Sequence, residues 1–379
     1  MDRISIKVGP PVEGNDFYGR EKDLKYAWEY HISKGASLLL SAPRRVGKSS
    51  FSKKMLKTAE AKGWKTLYIS LEGIRSESEL VKFFKKELQE EKWLNKLGEK
   101  TLSLFDSIKS DKVSIDSDVW RNDTYEKIKE LIESIDEILI VIDELTIYLS
   151  HLLNQEDGKE KIEFFLEWLR KFRQTSGTKA RWIFCSSIGL ENFASTHELS
   201  KHLNDIYPYE IGAFSENEAK DFICRLDVDK TVQFTKDNVQ YILDKLVWHL
   251  PFFIQILVDR INFLICVEGK PLSNETINEA YNRLIMENHF NTWEERLKFY
   301  EYEKDARIIL KLCASLGGRS REDLLANISE KRNDADEAET ILAHLLKLLR
   351  DEGYLIEHNG KYTFRSPLLR DFWYERFIR

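Results

Sequence analysis

At 379 residues the chain exceeds what one ordinary hydrophobic core organises, so two or three domains are expected. A hydrophobic content of 42%, with 9 Trp and 21 Phe, supplies apolar surface for several cores and argues against wholesale disorder. The formal net charge of −6 argues against a general nucleic-acid coat, while leaving room for a local basic patch.

The first residues, Met1-Asp2-Arg3-Ile4-Ser5, lack the apolar stretch of a signal peptide. The most apolar long segment, Pro251 to Val267, is broken by Asp259-Arg260 and is too short to span a bilayer. A soluble, cytoplasmic protein without a membrane partner is expected. Cys185, Cys224, Cys266 and Cys313 lie far apart in apolar surroundings and form no C-x-x-C pair, so they read as buried free thiols.

The chain opens with an extended lead-in through Gly9-Pro10-Pro11. A helix follows from about Asp16 to Lys34, with Glu21 and Asp23 in its positive first turn. Ala36 to Ser41 reads as a buried strand, and Ser49 to about Lys62 as a helix. Between them lies Ser41-Ala42-Pro43-Arg44-Arg45-Val46-Gly47-Lys48-Ser49-Ser50, the G-x-x-x-x-G-K-[ST] pattern with Ala42 in place of the first glycine. In such a strand–loop–helix the backbone N–H groups of Pro43-to-Ser50-type loops cradle phosphates, and the helix N-terminus adds positive potential. Lys48 is expected on the terminal phosphates of a nucleotide and Ser49 on Mg²⁺. A small first residue is tolerable there if its φ is negative, whereas Gly47 stands where backbone must approach phosphate closely.

A second strand, Lys65 to Leu71, and a charged amphipathic helix, Ser78 to Trp93, come next. Strands alternating with helices at this spacing indicate a parallel α/β sheet. A small hairpin is read around Ser107 to Ile115, then a helix from Thr124 to Ser134. Ile138-Leu139-Ile140-Val141-Ile142-Asp143-Glu144 is a central strand buried on both faces that ends in two acids. Carboxylates there are costly without a cation or a water to serve. Asp143 is therefore expected to meet the Mg²⁺ held by Ser49, and Glu144 to polarise the water attacking the terminal phosphate.

A helix from Gly158 to Gln174 precedes another buried strand, Arg181 to Ser187. Ser186 and Ser187 are candidates to sense the γ-phosphate, with Ser187 placed in the catalytic set and Asn192 a weaker alternative. Arg170, Arg173 and Arg181 are candidates to act on a neighbour's phosphate, each more simply a solvated charge. Past Pro208 the periodicity turns helical, starting at the capping box Ser215-Glu216-Asn217-Glu218. The turn His249-Leu250-Pro251 either starts a helix or presses Pro251 on the adenine; Gly19-Arg20 is likewise a helix start or an adenine-side contact. Three helices from about Glu303, then two short strands flanking Asn359-Gly360, describe a winged helix. Its last helix before the hairpin is not basic enough for a major-groove reader, so a protein-interaction role is favoured over DNA binding.

These pieces together resemble the prokaryotic P-loop ATPases of the AAA+/STAND group, often called archaeal-type ATPases, which share features with origin-recognition initiators. The resemblance rests on Phe17-Tyr18-Gly19-Arg20-Glu21, the loop from Ser41 to Ser49, Asp143-Glu144, Cys185 to Leu190, His249-Leu250-Pro251 and Phe364 to Arg370. It implies an AAA+-like core over 1–212, an all-helical lid over 213–300 and a winged-helix domain over 301–379, with the nucleotide between core and lid. It also implies ATP and ADP rather than a guanine nucleotide, slow hydrolysis, and a switch that reports nucleotide state to a protein partner or a second copy. Some members accompany stress or phage-defence genes. Leu250 departs from the glycine this family usually carries before the proline. The competing expectation is an initiator-like or transposition-related ATPase whose winged helix holds DNA.

Overall fold

The apolar run at 138–142 builds an interior strand of the larger sheet, because a strand with no polar face is stable only when both faces are covered. The computed structural model describes all residues except 1, 2, 95–97, 109–117, 187, 188, 331 and 333, together with the side chains of 100 and 118–120. The chain divides into two compact units, one of Arg20–Ser41 with Lys48–Ile211, the other of Met1–Gly19, Ala42–Gly47 and Gly212–Arg379.

The first unit runs α1 (Glu21–Tyr30), β1 (Leu38–Ser41), α2 (Lys48–Ala61), β2 (Lys65–Ser70), α3 (Glu77–Glu90), α4 (Glu99–Ser107) and α5 (Asp118–Glu133). It continues with β3 (Ile138–Asp143), α6 (Leu145–Leu153), α7 (Gly158–Gln174), β4 (Ala180–Cys185), α8 (Leu190–Thr196) and β5 (Tyr207–Glu210). Among the described residues its strands form one five-stranded parallel sheet, in the order β2-β3-β4-β1-β5. Every residue of β3 is buried, Asp143 included. Helix α7 packs Phe165, Leu166, Leu169 and Phe172 into this core beside Trp182 of β4.

The sequence reading missed β5, and Pro208 is the reason. It pairs with Leu39 in the last strand, where a residue without an N–H loses no ladder bond on the open side. Helices α4, α6 and α8 were also not anticipated, and α5 starts six residues earlier than the expected Thr124. The hairpin expected at 107–115 falls outside the described residues beyond Ile108, and Ser107 itself ends α4. Cys185 and Cys313 are buried as expected, but Cys224 and Cys266 are exposed, on the outward faces of their helices.

The second unit contains α9 (Glu216–Arg225), α10 (Lys236–Leu246), α11 (Pro251–Cys266), α12 (Asn274–Ile285), α13 (Asn291–Arg296) and α14 (Glu303–Cys313). Next come β6 (Arg319–Ser320), α15 (Arg321–Ser329), α16 (Ala335–Asp351), β7 (Leu355–His358), β8 (Lys361–Phe364) and α17 (Pro367–Phe377). The capping box at Ser215 and Glu218 is present, and others start α10 and α15. The expected hairpin forms as β7 and β8, with Asn359 and Gly360 both at positive φ, as a two-residue turn of that type requires. Unanticipated β6 adds a third antiparallel strand beside β8. No helix among the described residues is long and apolar enough to cross a membrane.

Helix α10 ends in a strained turn. Val247 sits at φ 56°, ψ −47°, and the Trp248 N–H reaches back to the Leu246 carbonyl at 2.5 Å. That is a γ-turn of the rare positive-φ kind, at a β-branched residue. It aims Trp248 inward and leaves Val247 59% exposed. Leu250 then takes an extended conformation and Pro251 opens α11, at the first helical position where its missing N–H costs nothing.

Two stability measurements follow. Ile140→Ala, in a strand buried on both faces, should lower stability by about 2–5 kcal/mol in denaturant unfolding. Val247→Gly should do the reverse of an ordinary Val→Gly change: relief of the positive-φ strain, about 1–3 kcal/mol, outweighs the entropy cost of glycine, about 1 kcal/mol. A lower melting temperature for Val247→Gly would show that the turn is not strained.

Candidate active site

The phosphate-loop pattern occupies the connection between β1 and α2 that the sequence placed it in. Ala42 keeps a negative φ, so the missing first glycine introduces no strain. Gly47 takes φ 100°, in the region that favours glycine, and a Cβ built on it would meet nothing within 4 Å. Arg45 also takes a left-handed φ, 66°, while Val46 is buried. Lys48 opens α2 and is only 8% exposed, with Ser49 and Ser50 in the same first turn. A helix's first turn is its positive dipole end, which favours an anion.

Asp143 ends β3 and is 6% exposed. Its Oδ2 accepts from Ser49 Oγ at 2.7 Å and from Tyr68 Oη at 2.6 Å, while its Oδ1 accepts the Glu144 N–H at 3.0 Å. Glu144 sits at φ 58°, ψ 33°, an uncommon conformation for a residue with a side chain, and its carbonyl receives the first N–H groups of α6. Cys185, at the end of the adjacent strand β4, is fully buried. Burial pushes its thiol well above the ordinary range, the charges of Asp143 and Glu144 add to this, and Lys48 opposes it. These charged groups are thus gathered at the carboxyl ends of β3 and β4, the edge at which open α/β sheets bind ligands.

The Ser49 hydroxyl and the Asp143 carboxylate offer hard oxygen donors side by side. Mg²⁺ prefers such donors and keeps several waters, so one hydroxyl and one carboxylate fit it without an all-protein cage. Among the described residues no group of three or more His, Cys, Asp or Glu could hold a metal by itself.

Tyr68 is the residue the sequence reading missed. Its signal lies in register: Ser70 pairs with Asp143, so Tyr68, two residues earlier on the same face of β2, stands diagonally across from it. A tyrosine is long enough to span that diagonal. Burial, and then the Asp143 charge, push its phenol far above the ordinary range.

The remaining candidates divide between the two units. Ser186 is buried, and its Oγ accepts the Thr146 N–H at 3.2 Å; Asn192 is buried on α8; Ser187 lies outside the described residues. Arg20 is buried at the start of α1 and lies 3.6 Å from Asp23. Arg170 donates to the Lys201 carbonyl, Arg173 grips both oxygens of Asp205, and Arg181 donates to two carbonyls of its own turn. In the other unit, Gly19 takes φ 69° beside Phe214, and Tyr18 donates to Asp221 at 2.7 Å while stacking on Phe222. The Phe214 N–H in turn donates to the His249 carbonyl of the turn before Pro251.

Within that same unit Pro43 and Arg45 of the loop are closely packed. A Cβ built on Gly353 would stand 2.8 Å from Pro43 Cβ and 2.6 Å from Trp248 Cη2, so that close approach requires glycine, as does its φ of 84°. The Arg45 guanidinium lies 4.3 Å from the centre of the Phe252 ring and donates to the Gly9 carbonyl, and burial lowers its pKa. Arg44 is half-buried. Beside Gly353, Glu352 and Arg296 form a buried ion pair at 3.6 Å.

No protein-family model matches the chain, and no curated protein matches it. Among solved structures it is similar to the Walker-type ATPase PABY2304 of Pyrococcus abyssi, at TM-score 0.64 and 17% identity over 97% of this chain and 99% of that one. It is also similar to the ORC2 protein of Aeropyrum pernix in its ADPNP–ADP complexes, at TM-score 0.57 and 12% identity over 95% and 94% of the two chains. At these identities the likeness is one of fold alone: a five-stranded parallel sheet of the α/β P-loop type, followed by a helical C-terminal region.

Proposed function

We propose that the chain is a Mg²⁺-dependent ATPase that works as a regulatory switch, reporting its nucleotide state to a protein partner or a second copy in the cytoplasm. The observation that carries the reading is the 2.7 Å contact between Ser49, in the first turn after the loop, and Asp143, at the end of the buried strand. A phosphate loop alone holds an anion; a loop whose hydroxyl meets a buried carboxylate supports a metal-assisted phosphoryl transfer. In this reading Lys48 reaches the terminal phosphates, Ser49 and Asp143 serve Mg²⁺, and Glu144 polarises the attacking water. Ser187 senses the γ-phosphate, the backbone from Pro43 to Ser50 cradles the phosphates, and Gly19, Arg20 and Pro251 border the adenine. ATP and ADP fit this assignment, and the related fold from A. pernix was solved with ADPNP and ADP.

The switch part of the reading takes the core as 1–212, the lid as 213–300 and a winged-helix domain as 301–379. Its support is the packing of Pro43 against Trp248 and Gly353, which brings the loop, the strained turn before Pro251 and the C-terminal helices into one contact. The alternative, an initiator-like or transposition-related DNA-binding ATPase, is less well supported. Five cations near the C-terminal hairpin are matched with acids: Arg350 with Glu357, Arg370 with Asp371, Arg376 with Glu294, Arg379 with Glu375 and Lys347 with Asp351, and Arg365 lies over the Trp248 ring. A duplex-binding surface needs cations free to replace counterions. A role in stress or phage defence belongs to this proposal only through the family resemblance.

Lys48→Ala should abolish binding of a fluorescent ATP analogue. Glu144→Gln should keep ATP bound while phosphate release falls by about 100-fold or more, the usual contribution of a general base. Undiminished turnover in Glu144→Gln would remove that residue from the mechanism. Duplex DNA binding should be undetectable at low salt; a steep salt-dependent affinity would favour the alternative.

A further inference from the structure

The Asp143 carboxylate has room for about four donors, and three sites are taken: Ser49 Oγ and Tyr68 Oη share Oδ2, and the Glu144 N–H takes one position on Oδ1. Tyr68 is separate from the loop, the acid pair and the sensor candidates. It comes from β2, one strand away, and is half-buried with Lys53 Nζ 5.3 Å from its ring centre. Resting on the ATPase reading above, we infer that Tyr68 is a positioning residue for the divalent cation. Its hydroxyl pins Oδ2 so that the carboxylate cannot rotate away from Ser49, and among the described residues one acceptor position, on Oδ1, is left for a metal or a metal-bound water.

The physical reason is that of any outer-shell partner. A metal site gains affinity when its carboxylate is already held in the geometry it needs, and loses it when the carboxylate must be ordered on binding. Ser49 cannot supply this by itself, because in sequence it directly follows the loop that moves with ligand in the proposed switch. Tyr68 is anchored in the sheet, whose register with β3 is continuous from Lys65 to Ser70. A merely structural role, a buried phenol seeking any acceptor, would give Tyr68 a part in stability but none in metal affinity.

The test is Tyr68→Phe in the full chain, which removes the hydroxyl and keeps the ring. Mn²⁺, standing in for Mg²⁺, is titrated with ADP present and read by its electron paramagnetic resonance signal. ADP affinity is measured separately in EDTA, and a thermal melt checks that the variant unfolds cooperatively. The expected result is a Mn²⁺ dissociation constant raised about tenfold, with ADP affinity in EDTA changed by less than about twofold. A Mn²⁺ affinity within about twofold of wild type overturns the inference, as does a parallel loss of ADP affinity in EDTA, which marks a structural role. Wild-type protein that binds neither ADP nor Mn²⁺ would remove the ATPase reading and this inference with it. Wild-type binding with an unaltered variant removes the inference alone.

Discussion

The buried carboxylate at the end of β3 is the constraint around which the α/β unit is arranged. Five apolar residues before it require a strand covered on both faces, inside the sheet between β2 and β4, and the sixth position places Asp143 where water scarcely reaches. A carboxylate in that position costs several kcal/mol unless donors surround it, by the usual penalty for desolvating a charge (about 20 kcal/mol in the idealised limit). The donors come from three directions: β2 through Tyr68, α2 through Ser49, and the chain itself through the Glu144 N–H. The last of these is made with Glu144 in a left-handed conformation. Strain accepted at one residue to satisfy another is a mark of functional sites, and here it falls on the acid proposed as the base.

In the other unit the loop is constrained by shape rather than charge. Gly353 leaves no space for a side chain between Pro43 and Trp248, and the γ-turn at Val247 is what turns Trp248 towards them. Pro43 has a fixed φ and cannot yield by rotating its own backbone. Close-packed contacts of this kind tend to hold one of two discrete arrangements instead of deforming gradually. On the proposed reading, a change in the loop on the arrival of a phosphate would act on Trp248 and Gly353 as a step.

What could be read from the sequence followed the strength of each local signal. The loop was legible because its strand, glycine and helix stand in unbroken order, and β3 because no other element tolerates five apolar residues ending in two acids. Asn359-Gly360 announced its hairpin through the positive φ that both residues adopt. β5 was not legible: it has four residues, three of them exposed, and a proline that argues against a strand everywhere but at an edge. β6 is two residues long and exists only through its pairing with β8. Tyr68 was hidden for a different reason. Its role depends on which strand lies beside β3 and in what register, and neither is written in the local pattern of Lys65 to Ser70.

The arginines of the α/β unit bear on how fast such a site would turn over. Phosphoryl transfer gains about 10³–10⁵ in rate when an arginine reaches the transferring phosphate. The three considered from sequence are each engaged within their own unit: Arg173 by both oxygens of Asp205 and the His202 carbonyl, Arg170 by Lys201, Arg181 by Thr178 and Ala180. Arg173 in particular could leave only by abandoning a two-pronged ion pair in which its own side chain is 3% exposed and that of Asp205 20%. On the proposed reading, Lys48, Asp143 and Glu144 then provide binding, metal placement and a base, while none of these three arginines reaches a transferring phosphate without giving up the partners it already holds. The slow basal hydrolysis that the proposal carries would then follow from where these guanidinium groups are already held.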